Sequence, residues 1–169
     1  MQRQRQTRIK RGGSRVPLII TVIILIIVFA SVVVLTTATK PMRTAKAQTV
    51  AIAKKYGKVT KTTSFYSSNL GKTYYSVAGT TGKGKKVYVI VAKKGGHVTV
   101  INQSDGVSES QVIQKVNQTR KPKRILNVSL TLTKAKPYWS VSYLNQKGNM
   151  CYAIYRFDNG KLYKLITNV

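Results

Sequence analysis

From Val16 to Leu35 the chain reads VPLIITVIILIIVFASVVVL, twenty residues without a charge. At 1.5 Å per residue, a helix of about 20 residues spans the ~30 Å hydrocarbon core of a bilayer. A helix buried inside a soluble protein is the alternative, but such helices usually keep a polar stripe. The many Val and Ile do not oppose a helix, because lipid leaves the backbone only itself to bond with. Pro17 falls in the first turn, where its missing N–H costs nothing. A transmembrane helix over residues 16–36 is therefore expected, with the rest of the chain folding outside the bilayer.

Residues 1–15 form a basic head, with Arg3, Arg5, Arg8, Lys10, Arg11 and Arg15 and no acid. Cations within about 15–20 residues of a span mark the cytoplasmic side, so the N-terminus is expected inside and the remainder exported. The exported part is basic too. It carries 24 of the 30 Lys+Arg and all three acids, a net +21 of the chain's +27. Long following domains cross largely regardless of such charge. A cleaved signal peptide competes, since Ala45-Lys46-Ala47 has the small-x-small form. Its apolar region would normally be about 7–15 residues long and adjoin the cleavage site. Here the run is longer, and Lys40 and Arg43 intervene. A retained single-pass anchor in the cell membrane, N-terminus in and C-terminus out, is the expectation. Cys151 has no second cysteine to pair with. An exported part without disulfides folds by its core alone, which suits a Gram-positive surface better than a eukaryotic secreted module. Within its apolar strand pattern, Cys151 reads as a buried, inert thiol.

The reactive inventory is small: Asp105, Glu109, Asp158, His97 and Cys151. A glycosidase needs two carboxylates about one bond, a triad needs a His with an orienting partner, and a zinc site needs about four ligands together. One His, one Cys and three scattered acids meet none of these patterns. The chain is expected to be non-enzymatic and to need no cofactor or metal.

An internal repeat organises the exported part. At an offset of 64 residues, Tyr74–Val98 lies without a gap over Tyr138–Leu162. Eight of the 25 positions are identical, among them Tyr74/Tyr138, Ser76/Ser140, Val77/Val141, Gly84/Gly148 and Gly96/Gly160. The period is too long for a solenoid, so one small domain is duplicated, at 37–104 and 105–169. In the first copy a helix is expected over Met42–Tyr56, starting after Pro41 and closed by Gly57 as the C′ residue. In the second, Ser108 and Gln111 form a capping-box pattern, with Val112, Ile113 and Val116 at helical spacing. Glu109 then stands in the first turn, where the helix dipole favours an acid. Four strands follow each helix: Val59–Tyr66, Thr73–Gly79, Lys86–Ala92 and His97–Asn102, then Arg124–Thr133, Tyr138–Leu144, Asn149–Phe157 and Lys161–Ile166. Leu126, Val128, Leu130 and Leu132 alternate with polar residues, as a half-buried strand requires. Asn159-Gly160 signals a two-residue type I′ hairpin, which needs positive φ at both positions. The fold class is thus α+β: a transmembrane helix and two tandem domains, each one helix on a four-stranded antiparallel sheet.

This arrangement resembles the PepSY-like, cystatin-like domains of the TseB family, cell-wall elongation regulators of Gram-positive rods. The likeness is carried by Tyr74-Tyr75-Ser76-Val77 with Gly79, Lys85–Val91, Ser108–Val116, Tyr138–Tyr143 (YWSVSY) and Phe157–Lys161 (FDNGK). The resemblance implies a non-enzymatic accessory protein whose partner is a class B penicillin-binding protein or another wall-synthesis membrane protein. Nothing in that role demands a charge of +21.

The cations sit at turns and at a junction. Lys83, Lys85 and Lys86 flank one turn, Lys93 and Lys94 another, and Arg120, Lys121, Lys123 and Arg124 lie between helix and strand of the second copy. Solvated lysines that blunt sheet edges are the plain explanation. As a set they are candidate contacts for a partner or a polyanion, since an all-basic surface attracts anionic polymers. Outside a Gram-positive membrane these are teichoic acid and anionic lipid. Nucleic acid is disfavoured, because the anchor places the face outside and no helix-turn-helix or RNP-like pattern occurs; extracellular DNA stays as an alternative. The strand tyrosines and Trp139 are expected to pack in the core. TGKGK (Thr81–Lys85) lacks phosphate-loop spacing and a following helix, and reads as a turn.

Overall fold

The computed structural model describes residues 16–168, so the basic head at 1–15 lies outside the described residues. Two compact units are present, Met1–Met42 and Arg43–Val169. In the first, the helix α1 (Val16–Gly57) is long and apolar enough to cross a membrane, and its apolar side chains from Leu18 to Leu35 are all exposed. This is consistent with a single-pass anchor. The helix does not restart after Pro41 but runs through it. An interior proline deletes one rung of the ladder and crowds the preceding turn. Thr39 Oγ1 donates to the carbonyls of Leu35 and Thr36 just upstream, at 2.9 and 3.2 Å, adding side-chain bonds where the ladder is weakened.

The second unit holds the last turns of α1, then β1 (Val59–Ser68), β2 (Tyr74–Thr81), β3 (Lys86–Ala92) and β4 (Val98–Asn102). After a 3-10 turn at Gln103–Asp105 come α2 (Glu109–Arg120), β5 (Arg124–Thr133), β6 (Lys136–Leu144), β7 (Met150–Arg156) and β8 (Leu162–Ile166). The strands form two antiparallel meanders, β1-β2-β3-β4 and β5-β6-β7-β8. The 64-residue period survives in the backbone. β3 and β7, and likewise β4 and β8, are displaced by that interval residue for residue, and Gly84 and Gly148 both carry positive φ in equivalent turns. Thr81 N bonds the Lys85 carbonyl as Asn145 N bonds that of Asn149.

Helix ends follow from their sequences. The capping box at α2 is complete: Gln111 N donates to Ser108 Oγ at 3.3 Å and Ser108 N to Gln111 Oε1 at 2.8 Å. At the end of α1 the positive φ falls on Lys58, not on Gly57. Gly57 is needed for closeness instead, because a Cβ there would stand 2.5 Å from Val89 Cγ2. The β7–β8 turn also departs from the two-residue form. Gly160 has φ +64 and Asn159 does not have positive φ, and Gly160 N bonds the Arg156 carbonyl across a wider loop. The equivalent turn of the first copy closes the same way, Ala92 N bonding the His97 carbonyl, with exposed Lys93 where the second copy has buried Phe157; Asn159 Oδ1 accepts from Lys161 N.

In the first half, Val77, Val87, Val89 and Val91 pack with Ala53 and Val59 under α1. The other core crosses between halves. Tyr66, Ala78, Tyr88 and Ile90, from the helix-free face of the first sheet, pack with Val112, Val116, Leu130, Trp139 and Phe157 of the second half. Trp139 is fully buried, with Tyr66 and Tyr88 edge-on to it at 5.5 Å, and its Nε1 donates to the Val107 carbonyl at 2.8 Å. The junction between copies is therefore clamped. Val107 N bonds the Phe157 carbonyl, and a Cβ on Gly106 would overlap that same carbonyl and the Phe157 ring.

Candidate functional site

Each acid has a side-chain partner. Asp105 accepts from Asn102 and Ser104, Asp158 pairs with Arg156 at 3.1 Å, and Glu109 accepts the Tyr66 hydroxyl at 2.7 Å. Burial first, and then this bond, push the Tyr66 phenol above the ordinary tyrosine range. Tyr88 is pushed up to about 12, by burial and then by the Glu109 charge. Both raised phenols stay neutral in the core between the halves, a structural outcome rather than a catalytic one. Cys151 is buried and His97 exposed.

The sequence-chosen cations fall in three places. Lys83, Lys85 and Lys86 are exposed at the β2–β3 turn. Lys93 and Lys94 lie at the opposite end of β3, a seven-residue strand about 20 Å long. Lys121, Lys123 and Arg124 are exposed after α2, where Gln146 Nε2 bonds the Lys121 carbonyl, while Arg120 is half-buried with an unpartnered Nε. The structure makes one addition: Lys72 joins Lys93 and Lys94 around a recess of about 670 Å³. Lys93 N holds the Thr73 carbonyl at 3.0 Å and draws the β3–β4 turn onto the start of β2.

A second recess, about 600 Å³, lies on the helix-free face of the second sheet. Its floor carries Ser129, Ser140 and Ser142, and the β1–β2 turn of the first half closes one side. A register shift between Ile125 and Asn127 turns Leu126 out of its alternating pattern and onto the wall of this groove, 39% exposed. Val128, Leu130 and Leu132 keep the core side. Ser68 Oγ, at the groove wall, is buried and has no hydrogen-bond partner. Gly71 borders both recesses.

Residues 48–92, from the last turns of α1 to the end of β3, match the family model of the cell wall elongation regulator TseB-like domain. That segment is TseB-like. The YpmB protein from Bacillus subtilis has the same architecture, with a TM-score of 0.61 and 25% identity over 72% of this chain and 95% of that one. No curated protein matches the chain. The TseB-like segment contains the Lys83–Lys86 turn, Lys72 and the aromatic face formed by Tyr66 and Tyr88, and it ends just before Lys93. It stops before the serine floor, which belongs to the second copy. Sequence reasoning missed that floor, although Ser140 and Ser142 stood within the YWSVSY run; strand alternation alone does not say which face of a sheet stays uncovered.

Proposed function

We propose that this TseB-like chain is an envelope regulator that docks on a wall-synthesis enzyme, of the class B penicillin-binding protein type, and modulates cell elongation without chemistry of its own. The observation that carries the reading is the match of residues 48–92 to the elongation-regulator domain. Orientation rests on the cations before the span, which favour the N-terminus inside and Arg43–Val169 on the extracellular side. The test is capture of purified transpeptidase on the full chain in detergent, with washes at low and then high salt. Retention through high salt is expected for a packed interface, whose salt dependence lies mainly in its on-rate. Loss of the enzyme at both salt strengths would sink the reading. Orientation is checked separately with Lys83→Cys, since the native Cys151 is buried. An impermeant maleimide should label that variant in intact cells.

A second reading, binding of anionic envelope polymer, is favoured by the Lys72, Lys93 and Lys94 recess, which no acid lines. It predicts affinity that falls steeply with log salt.

A further inference from the structure

We infer that the serine groove and the lysine recess form one continuous site for a linear polyol joined by phosphodiesters. The choice of an envelope polymer rests on the wall-side placement proposed above.

The internal repeat shows what the groove is. Tyr66 pairs with Ser76 in the first sheet as Ser129 pairs with Ser140 in the second, and Ala78 corresponds to Ser142. In the first half that face is filled by Trp139 and its neighbours. In the second half nothing among the described residues fills it, and a tyrosine and an alanine of the first half are replaced by serines. The result is a recess of about 600 Å³, a size that takes a small-molecule ligand or a short stretch of polymer. It has hydroxyls on the floor and Leu126 and Tyr152 on the wall.

A small-residue face alone would not make a site. Ser68 supplies a second observation: the residue, in the groove wall, is 2% exposed and its hydroxyl is unpartnered. A buried hydroxyl without a bond costs about 1–3 kcal/mol, and a ligand hydroxyl would relieve that cost. Past Gly71 the groove reaches Lys72, Lys93 and Lys94. Ammonium groups bind phosphate as compact point charges.

The floor also tells a polyol from a peptide. Its strands already use their backbone groups in the β5–β6–β7–β8 ladder, and Ser129 and Ser142 donate to the carbonyls of Ser140 and Asn127, so what the floor offers a ligand is hydroxyl oxygens that accept. An extended peptide, acidic or not, would instead seek a free strand edge. Hydroxyl floor and cationic end together match alternating polyol and phosphate.

The test is titration of a synthetic glycerol-phosphate oligomer into the full chain in nanodiscs of zwitterionic lipid. An oligoglutamate of equal charge is the comparison. Lys72→Ala/Lys93→Ala/Lys94→Ala should weaken oligomer binding at least ~10-fold, since each lost phosphate contact removes counterion release. The same triple change at Lys83, Lys85 and Lys86 should alter it less than about 2-fold, because those charges lie farther away than a Debye length. Ser68→Ala should weaken binding about 3-fold with no loss of thermal stability, because the hydroxyl it removes has no internal partner. Equal weakening by both lysine triples would reduce the effect to the overall field and overturn the site. Binding of oligoglutamate as tight as that of the oligomer, or no oligomer binding at all, would overturn the ligand. Each of these results is independent of whether a transpeptidase is captured, so the two proposals can fail separately.

Discussion

The two halves of the Arg43–Val169 unit share one topology, with a 64-residue interval from β3 to β7 and from β4 to β8, yet treat the same face in opposite ways. The first half presents Tyr66, Ala78, Tyr88 and Ile90 there and buries them against the second half. The second half presents Ser129, Ser140 and Ser142 and leaves the face as a groove. A duplicated sheet has two helix-free faces. When the copies stack in tandem, only one of them can be consumed by the contact. The covered face accumulates aromatics, because buried aromatic pairs add packing beyond their area. On the other face the serines are buried at the bottom of the groove, where small side chains leave room and the hydroxyls of Ser129 and Ser142 bond backbone carbonyls.

The largest effect is expected where the halves meet. Trp139→Ala should cost ~3–5 kcal/mol, as for a fully buried aromatic. Because Trp139 touches Tyr66 and Tyr88 across the boundary, urea unfolding followed by probes in each half should give coincident transitions. Separate midpoints would break the claim of one shared core.

Gly106→Ala tests the clamp between the copies. Its Cβ would meet the Phe157 carbonyl, a backbone atom that cannot rotate away, so a loss of about 1–3 kcal/mol is expected from overpacking. Gly71→Ala has open space around it and a φ of +77; only the left-handed backbone is strained, for roughly 1 kcal/mol. Denaturant midpoints of the two variants compare a packed junction with a free loop.

Alkaline pH probes the covered face selectively. Tyr88 titrates at about 12 when folded against an ordinary 10.0, and Tyr66 is raised as well. Above pH 10 the unfolded chain sheds these protons while the native state keeps them, so the unfolded state binds fewer protons and stability falls as pH rises. The contribution is fully present below about pH 10 and is lost between 10 and about 12. Thermal melts across that window should show the decline, and Tyr88→Phe should flatten it.

The smallest effects are expected at exposed cations. Lys83→Glu, Lys85→Glu and Lys86→Glu should each move stability by no more than about 0.5 kcal/mol. A larger loss in a thermal melt would assign those turns a structural role.

Much of this was legible residue by residue. The apolar run, the Ser108–Gln111 cap, the strand alternation and the turn glycines act over a few neighbours, and their physics is local. The order of helices and strands therefore followed from sequence, as did the antiparallel meanders and the repeat. Where expectation and structure parted, a distant residue intervened. The bulge before Asn127, set by the pairing of β5 with β6, turned Leu126 outward. Val89, not backbone conformation, accounts for Gly57.

By itself the sequence determined a helix long and apolar enough to cross a membrane, a strongly basic remainder and a repeated α+β pattern. Hydrophobic length, net charge and periodicity are properties of the chain that need no partner to be read. Only the tertiary structure decided that the copies share a core through Trp139, that Lys72 joins Lys93 and Lys94, and that one serine face stays open. Those outcomes depend on which faces meet, and an apolar or polar stripe carries no label for the surface that covers it.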